Sequence, residues 1–413
     1  MRKIMKTNFG LLVVSYLTSC LLFISLCLGQ EIPKPGEMID KSNYKKYAHL
    51  FPEQFLPGFE NGFDGTFKPF SVKVVQSKPA PIPKKFGVLS EKNRGKFTFD
   101  KDGKIVGGYD YNGFPFPGVT PEDKDFSTKI MWNYGYQYFG DSSDQLTTLL
   151  LKRKGEQVSY FKSRALDVRF TNRLYDNPKP FYETPEKIFK VYGAIYYEPS
   201  NLRNFQFRFI QYLDVTRADD GYMYLPQMRR VLRAEAGFRS TPLQGVILAW
   251  DDFYGFSGKT QNFTYKYLGE KKMLGTFENS MCNTFAVKEF AADKNFLPFA
   301  NDNWEVRDVY VIEITSKDPK YPQSKKTVYI DKENLRMLYT VMLDRAGKPW
   351  KISYMNWRPT DLADGDKFYY LGGICAYDMQ FGIGQVTPFD VTLNGNRYMY
   401  EDVMPSAMVR IGR

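Results

Sequence analysis

Strand-length apolar segments separated by short turns recur through the last two thirds of the chain, and they constrain its fold more than any other feature. Turn-forming sequences such as Asp176-Asn177-Pro178 and Arg345-Ala346-Gly347 end one segment and open the next. Strands that follow one another at roughly 10–15 residues with tight turns predict one large antiparallel sheet. The predicted strands are 158–174, 188–197, 205–213, 262–268, 304–315, 327–331, 336–344, 350–356 and 369–380.

The part of the chain before these strands is predicted to be less regular. Residues 31–83 are rich in proline and polar residues, which predicts an irregular segment with one short helix at 43–50, capped by Ser42. Alternation around Asp102-Gly103 predicts a hairpin at 97–111. We therefore expect an irregular lead over residues 30–96, followed by a single domain over 97–413.

Residues 113–151 mix aromatic and helical patterns. Two prolines within 113–117 exclude a central strand or a helix interior, so this stretch predicts a rigid aromatic loop. Apolar residues at every fourth position from Phe126 predict a helix at 126–138, interrupted near Gly140. The tail from residue 381 has no clear period, and we expect it to be irregular.

The first 29 residues are predicted to be a targeting signal and not part of the fold. Three basic residues within the first six precede an apolar run over 9–28, and small residues suit cleavage after Gly29. Two alternatives stay open. Cys20 could be lipidated within a lipobox-like sequence, or the run could remain as a membrane anchor. No later segment is apolar enough to cross a membrane.

The net charge argues against one class of partner. The chain has 57 Lys and Arg against 46 Asp and Glu, so loss of the signal's three basic residues leaves 54 minus 46, or +8. The excess forms small clusters such as Lys152-Arg153-Lys154 and no basic stripe, which argues against nucleic-acid binding. Attraction to anionic lipid or polysaccharide, or a solvated surface, explains the charge.

Histidine and cysteine are scarce, which limits the chemistry that the chain can perform. His49 is the sole histidine, so a multi-histidine metal site is excluded and Ser-His-Asp or Cys-His catalysis is disfavoured. Cys282 and Cys375 remain after signal cleavage and could form a disulfide in an oxidising compartment. Without a Cys-x-x-Cys pattern we expect no metal and no cofactor.

Residues 219–259 concentrate charged and aromatic side chains more than any other stretch. If 228–234 is helical, Arg229 and Arg233 lie on one face, where they could bind a lipid phosphate or carboxylate. Alternatively, these arginines pair with the aspartates of this stretch and hold it to the sheet. Asp251 and Asp252, if they lie on a strand, point to opposite faces and cannot act on one substrate together.

Several motifs resemble those of an exported bacterial family, domain-of-unknown-function family 1329. They are GFPFP at 113–117, KIMWN at 129–133, YLPQMRRV at 224–231, DDFYGFSG at 251–258, WEVRDVYVIE at 304–313, YID at 329–331, DRAG at 344–347 and Trp350. The resemblance implies a LolA/LolB-like fold, a curved antiparallel sheet forming an unclosed half-barrel whose apolar concave face is covered by helices. It also implies a periplasmic location, with outer-membrane association open. The implied partners are a resistance-nodulation-division exporter and an outer-membrane β-barrel protein, and no catalytic residues carry over.

These observations lead to a hypothesis for a ligand site. Aromatic side chains at alternate strand positions would line a cavity, although an ordinary core needs the same pattern, while arginines contact the ligand's head group. The candidate residues are Phe205, Phe207, Phe209, Tyr222, Tyr224, Phe263, Tyr265, Tyr267, Trp132 as a lid, Arg229, Arg230 and Arg233. We expect a non-enzymatic carrier of a lipid or other hydrophobic molecule. The alternatives are a protein that binds or processes cell-envelope glycans and a structural adaptor of a transporter.

Overall fold

The computed structural model describes residues 31–242, 246–278, 298–299 and 302–412. The predicted targeting signal and Cys282 therefore lie outside the described residues. Cys375 is buried and has no disulfide partner within these ranges.

One antiparallel sheet of 15 strands dominates the protein, and a two-stranded hairpin accompanies it. The strands are β1 Met38–Ile39, β2 Val72–Val74, β3 Thr98–Phe99, β4 Ile105–Val106, β5 Ser142–Arg153, β6 Glu156–Arg169, β7 Ile188–Glu198, β8 Gln206–Tyr212, β9 Asp220–Leu225, β10 Arg230–Arg233, β11 Phe263–Glu278, β12 Asn303–Ser316, β13 Lys325–Asp331, β14 Met337–Leu343, β15 Pro349–Asp361, β16 Lys367–Asp378 and β17 Ile383–Leu393. Their order in the sheet is β1-β2-β12-β13-β14-β15-β16-β17-β5-β6-β7-β8-β9-β10, with β11 beside β12.

The sheet remains open, since among the described strands β1 and β10 form the two ends of this order and do not pair with each other. Neighbouring strands are antiparallel except where β2 meets β12 and β11 meets β15, each over one or two residue pairs. This confirms the predicted fold class, a mainly β protein with a large antiparallel sheet not closed into a barrel. Each of the nine predicted strands is present, with shifted ends.

Five α-helices and six 3-10 segments lie around the sheet within the described ranges. The helices are α1 Pro57–Gly65, α2 Lys84–Glu91, α3 Phe126–Tyr136, α4 Tyr400–Val403 and α5 Pro405–Ile411. The 3-10 segments are Tyr44–Leu50, Glu53–Phe55, Ser200–Leu202, Ala236–Arg239, Trp250–Gly255 and Thr260–Asn262. In this part of the chain, none of the helices is both long and apolar enough to span a membrane.

Several local predictions are confirmed. The helix at 126–138 is α3, which ends two residues early, and the hairpin at 97–111 is formed by β3 and β4. The short helix at 43–50 is a 3-10 segment capped at Asn43, so the prediction that Ser42 is the N-cap is wrong.

Other local predictions are wrong. The tail after residue 381 is not irregular, because it forms β17, α4 and α5. β17 was not predicted because it contains Gly384 and Pro388, and both residue types are depleted within strands. No structure was predicted for residues 142–151, which belong to β5, because both faces of this strand are largely buried and the apolar alternation is lost. Residues 228–234 are not helical but enter β10, which pairs with β9.

The two faces of the sheet carry different cores. Alternation along β8 places Phe207 and Phe209 on what we call the inner face, where the large hydrophobic cluster lies. Arg208 and Ile210 point to the outer face, where a smaller cluster is covered by Val403 of α4. The lead joins the inner core, since the Phe55 ring lies 5.1 Å from that of Tyr354. The predicted division at residues 96 and 97 stays a prediction.

Candidate ligand-binding site

A pocket opens on the inner face between β6, β7 and β8 on one side and α3 and residues 254–261 on the other. Its free volume is about 70 Å³, enough for several waters or one small polar group but far below the roughly 300–1,000 Å³ of pockets that enclose drug-sized ligands. The lining side chains include Trp132, Tyr134, Tyr136, Phe139, Arg169, Phe189, Lys190, Gln211, Tyr212, Tyr254, Phe256, Lys259 and Gln261.

Two cations face each other across neighbouring strands in this pocket. Arg169 of β6 and Lys190 of β7 are directly opposite in the register of the antiparallel pair. A register shift between Ile188 and Lys190 adds one residue to β7, and such bulges re-aim side chains. As a result both Phe189 and Lys190 line the pocket. Like charges directly opposite on one face destabilise a sheet, so this pair is not explained by sheet stability.

Neither cation is neutralised by an ion pair within the described part of the chain. Arg169 is 2% exposed, its Nη1 donates to the carbonyl of Gln137 at 3.2 Å, and its Nε has no partner in these ranges. The ammonium of Lys190 makes no hydrogen bond or ion pair with a described residue, and burial lowers the pKa of Lys190 to about 8. Asp167 lies two residues before Arg169 on the same face. Its negative charge raises the pKa of Lys190 and so opposes part of the decrease caused by burial.

A third cation lies close to the pocket. The guanidinium of Arg336 stacks 4.3 Å from the ring centroid of Phe139, and that of Arg169 lies 5.3 Å from the same centroid. Burial, with a smaller contribution from the positive charge of Arg169, lowers the pKa of Arg336 to about 9. Its Nη2 donates to the Tyr138 carbonyl at 3.0 Å. Asp167 is itself 4% exposed, and its Oδ1 has no hydrogen-bond partner among the described residues. The region therefore carries more positive than negative charge.

Aromatic rings surround the cations. Trp132 and Tyr136 of α3 stack with centroids 5.7 Å apart, and Tyr136 packs 5.0 Å from Phe189. Such rings supply apolar area, and their faces attract cations. The pocket thus combines uncompensated positive charge with an aromatic wall, an arrangement that suits an anionic group attached to an apolar one.

The 3-10 segment Trp250–Gly255 covers β8 beside the pocket. The Trp250 ring lies 4.2 Å from that of Phe207 and 5.9 Å from that of Phe209. Asp251 and Asp252 hold this segment in place. Asp251 pairs with Arg239 at 3.0 Å, and Asp252 accepts a hydrogen bond from Lys326 at 2.7 Å.

These two aspartates lie in a 3-10 segment and not on a strand, so the argument from opposite strand faces does not apply to them. Asp251 is 7% exposed and Asp252 is 1% exposed. Both carboxylates already have cationic partners, so they are not available as a general acid and base. The alternative that the aspartates and arginines of residues 219–259 pair with each other is also observed between Arg233 and Asp220.

The structure separates the candidate aromatic residues. Trp132 lines the pocket, and Phe209 lines a smaller cavity next to it. Phe205 and Phe207 belong to the inner core. By contrast, Tyr222 lies opposite Arg208 and Tyr224 lies opposite Gln206, which places these two tyrosines on the outer face.

The remaining candidates lie away from the pocket. Phe263, Tyr265 and Tyr267 of β11 pack on the inner core without lining the pocket, and Tyr267 contacts Phe126 of α3 at 4.8 Å. Arg229, Arg230 and Arg233 are exposed on the β9–β10 hairpin, so the premise that Arg229 and Arg233 share a helix face is wrong.

Sequence reasoning missed Arg169, Lys190 and Arg336. The sequence did contain an indication of Arg169 and Lys190, because each is a charged residue inside a strand that was predicted correctly. Charged residues are almost never fully buried unless paired. Their pairing across β6 and β7 depends on register and on the bulge, which the sequence pattern does not reveal.

Comparison with solved structures finds several proteins to which this chain is similar. A domain that is a candidate outer membrane lipoprotein-sorting protein from Vibrio parahaemolyticus superposes with a TM-score of 0.50 at 18% identity, over 69% of this chain and 99% of that one. A DUF1329 family protein from Desulfovibrio piger matches at 14% identity, with a TM-score of 0.46, over 65% of this chain and 92% of that one. A LolA superfamily protein from Nitrosomonas europaea matches at 13% identity, with a TM-score of 0.43, over 68% and 98%. No curated protein matches the sequence.

The open antiparallel sheet with its covering helix is the fold that this chain shares with the candidate lipoprotein-sorting domain from Vibrio parahaemolyticus. The family model described as "Protein of unknown function (DUF1329)" matches residues 38–400. The chain belongs to this family.

Proposed function

We propose that this protein is a non-enzymatic carrier that binds an amphiphile with an anionic head group in the pocket between α3 and the inner face. The observation that carries the proposal is the pair Arg169 and Lys190, two opposed cations without a carboxylate partner in the described ranges. A carboxylate or phosphate between them would supply the missing charge and accept the hydrogen bonds that Arg169 Nε and Lys190 Nζ do not make.

The aromatic wall would contact the part of the ligand next to its head group. Trp132, Tyr136 and Phe189 provide this surface. Because the free volume is only about 70 Å³, binding of a long apolar tail requires α3 or the segment at 254–261 to move away from the sheet. The fold supports a carrier role, since the open sheet has an apolar inner face that a ligand would reach if its covering elements moved away.

The cellular setting belongs to the same proposal. We place the protein in the periplasm of a Gram-negative bacterium, exported by its N-terminal signal. Cooperation with a resistance-nodulation-division exporter and an outer-membrane β-barrel protein, which the family resemblance implies, stays a prediction. The burial and pairing of Asp251 and Asp252 give the glycan-processing alternative no support.

A binding assay with matched ligands tests the proposal. We expect the purified protein to bind a fluorescent fatty acid more tightly than its uncharged methyl ester. Lys190→Met and Arg169→Met should remove that preference, because each deletes one of the opposed charges. Lys271→Met, which changes an exposed lysine on β11, is the matched control and should bind like the wild type.

Two results would contradict the proposal. One is equal binding of acid and ester by the wild type, which would remove the role of the cations. The other is a protein that binds neither compound and yields no amphiphile on native mass spectrometry. The structural-adaptor alternative would then be favoured.

A further inference from the structure

The outer face of the sheet carries a second cavity, on the other side of β6, β7 and β8 from the pocket described above. It is a groove with a free volume of about 310 Å³ between these strands and the C-terminal residues 397–411. We call it the outer groove. Its lining consists of Arg164, Ala165, Leu166, Ile195, Tyr197, Arg208, Arg397, Tyr398, Asp402, Arg410 and Ile411. None of these residues lines the pocket on the inner face, which we call the inner pocket.

Arg208 at the floor of the outer groove is a buried cation without a counter-ion. It is 3% exposed, and no carboxylate within the described ranges forms an ion pair with it. Its Nη1 donates to the carbonyl of Phe207 at 2.9 Å, whereas its Nε is buried and has no partner among the same residues. Burial lowers the pKa of Arg208 to about 10, so the side chain remains charged at neutral pH.

The strand beside Arg208 is shaped to admit its side chain. Gly193 of β7 is opposite Arg208 in the register. A Cβ at position 193 would lie 2.4 Å from the carbonyl oxygen of Phe207, 2.6 Å from Arg208 Cδ and 2.7 Å from its Nη1, so any larger residue there would clash with the β8 backbone and with the guanidinium. Glycine weakens a strand interior and often marks a close approach. Glycine at position 193 therefore lowers the stability of β7 at the point where the Arg208 side chain lies against it.

Three further arginines give the groove an excess of positive charge. Arg164 donates to Asp144 at 2.7 Å, and Arg410 pairs with Asp402 at 3.1 Å. Arg397 is exposed and pairs with no carboxylate in the described part of the chain. The groove and its immediate partners therefore hold four guanidinium groups against two carboxylates. A guanidinium has five N–H donors, so the paired arginines can still donate to a ligand.

We propose that the outer groove is a binding site for an anionic phosphate group, with Arg208 as its central ligand. A phosphate offers several acceptor oxygens, which can be approached by arginines from different directions, and arginine binds phosphate in a bidentate manner. The apolar side chains of Leu166, Ile195 and Ile411 line the remaining space. The site therefore suits a phosphate attached to an organic group, on a lipid or on a free monoester.

A variant that should preserve the fold makes the proposal testable. Arg208→Met keeps an unbranched side chain and removes an uncompensated buried charge, so thermal stability should be unchanged or higher. Ligand binding is measured from the rise in melting temperature and by isothermal titration calorimetry. The probes are inorganic phosphate, glycerol phosphate, dihexanoyl phosphatidic acid and dihexanoyl phosphatidylcholine.

We expect the wild type to bind phosphatidic acid or glycerol phosphate and Arg208→Met to bind at least about tenfold more weakly, as for a lost charge-assisted interaction. Binding of phosphatidic acid alone identifies a lipid as the source, whereas binding of glycerol phosphate and inorganic phosphate identifies a free phosphate. Arg345→Gln, which changes an exposed arginine in the β14–β15 turn, is the charge-matched control and should bind normally.

The outer groove can be distinguished from the inner pocket by one more variant. Lys190→Met should leave phosphate binding in the outer groove intact, because the two sites lie on opposite faces of the sheet. Equal binding by the wild type and Arg208→Met would overturn the proposal, as would a wild type that binds none of the phosphate probes. A large loss of thermal stability in Arg208→Met would instead show that the arginine serves the fold.

Discussion

Replacement of Lys190 by methionine should stabilise the folded protein at neutral pH. The ammonium of Lys190 is opposite Arg169 and has no carboxylate partner in the described ranges. Burial lowers the pKa of Lys190 from 10.5 to about 8, which corresponds to a loss of about 3 kcal/mol of protonation free energy. Contact with water in the pocket screens part of this effect, so we expect Lys190→Met to gain about 1–3 kcal/mol of unfolding free energy.

The gain should depend on pH in a defined direction. Folding lowers the pKa of this lysine, so the destabilisation is fully present below about pH 8 and disappears as the pH rises toward 10.5, where the lysine becomes neutral in the unfolded state as well. The stability of the wild type relative to Lys190→Met should therefore rise between about pH 8 and pH 10.5.

Urea unfolding followed by tryptophan fluorescence at several pH values provides the measurement, with the m-value as a check that both proteins unfold alike. Lys271→Met should change the free energy by no more than about 0.5 kcal/mol at any of these pH values. If Lys190→Met were less stable than the wild type near pH 7, Lys190 would have a stabilising anionic partner. That result would rule out an anion site between Lys190 and Arg169.

Two other variants, one single and one double, test the elements that border the pocket. Lys326→Met should destabilise the protein by about 3–5 kcal/mol, because it leaves Asp252 buried without a counter-ion; Lys325→Met, which removes the neighbouring exposed lysine, should cost less than about 1 kcal/mol. Equal losses in thermal unfolding would show that the buried pair is not what holds the 3-10 segment Trp250–Gly255. The double variant Gly135→Cys and Thr260→Cys should form a disulfide that fixes α3 to the mouth of the pocket, since a Cβ at position 135 would lie 3.0 Å from Thr260 Oγ1. Uptake of the fluorescent fatty acid should fall in the oxidised double variant and recover on reduction, with each single variant as a control. Undiminished uptake by the oxidised form would show that α3 and residues 254–261 need not separate from each other for the ligand to enter.

The architecture was largely predictable because it depends on local patterns. Alternating apolar residues and turn sequences mark β6, β7, β8 and the strands from β12 to β16, where packing and propensity agree. The pattern failed at β5, which is buried on both faces, and at β17, which contains Gly384 and Pro388. It also failed at 228–234, where a helical arginine spacing occurs in a strand hairpin.

The candidate sites were less predictable because they depend on contacts between distant residues. Arg169 and Lys190 are 21 positions apart in the sequence, and they become neighbours only through the β6–β7 register and a bulge at Phe189. Arg208 presents the same difficulty, since alternation predicts a phenylalanine face on β8 but not what covers the opposite face. The aromatic residues predicted a ligand site on the inner face, but most of them belong to the hydrophobic core there.

Both candidate sites share one feature, which is a buried cation. An unpaired arginine or lysine inside a protein costs stability, and the fold retains such residues on both faces of β6, β7 and β8. On the inner face the cations oppose each other, and on the outer face Gly193 makes room for one of them. Because neither arrangement improves sheet packing, binding of anions is the physical explanation that we favour for both. The two methionine variants separate the sites, since Lys190→Met should remove the preference for an anionic head group on the inner face and Arg208→Met should weaken phosphate binding on the outer face, each without affecting the other site.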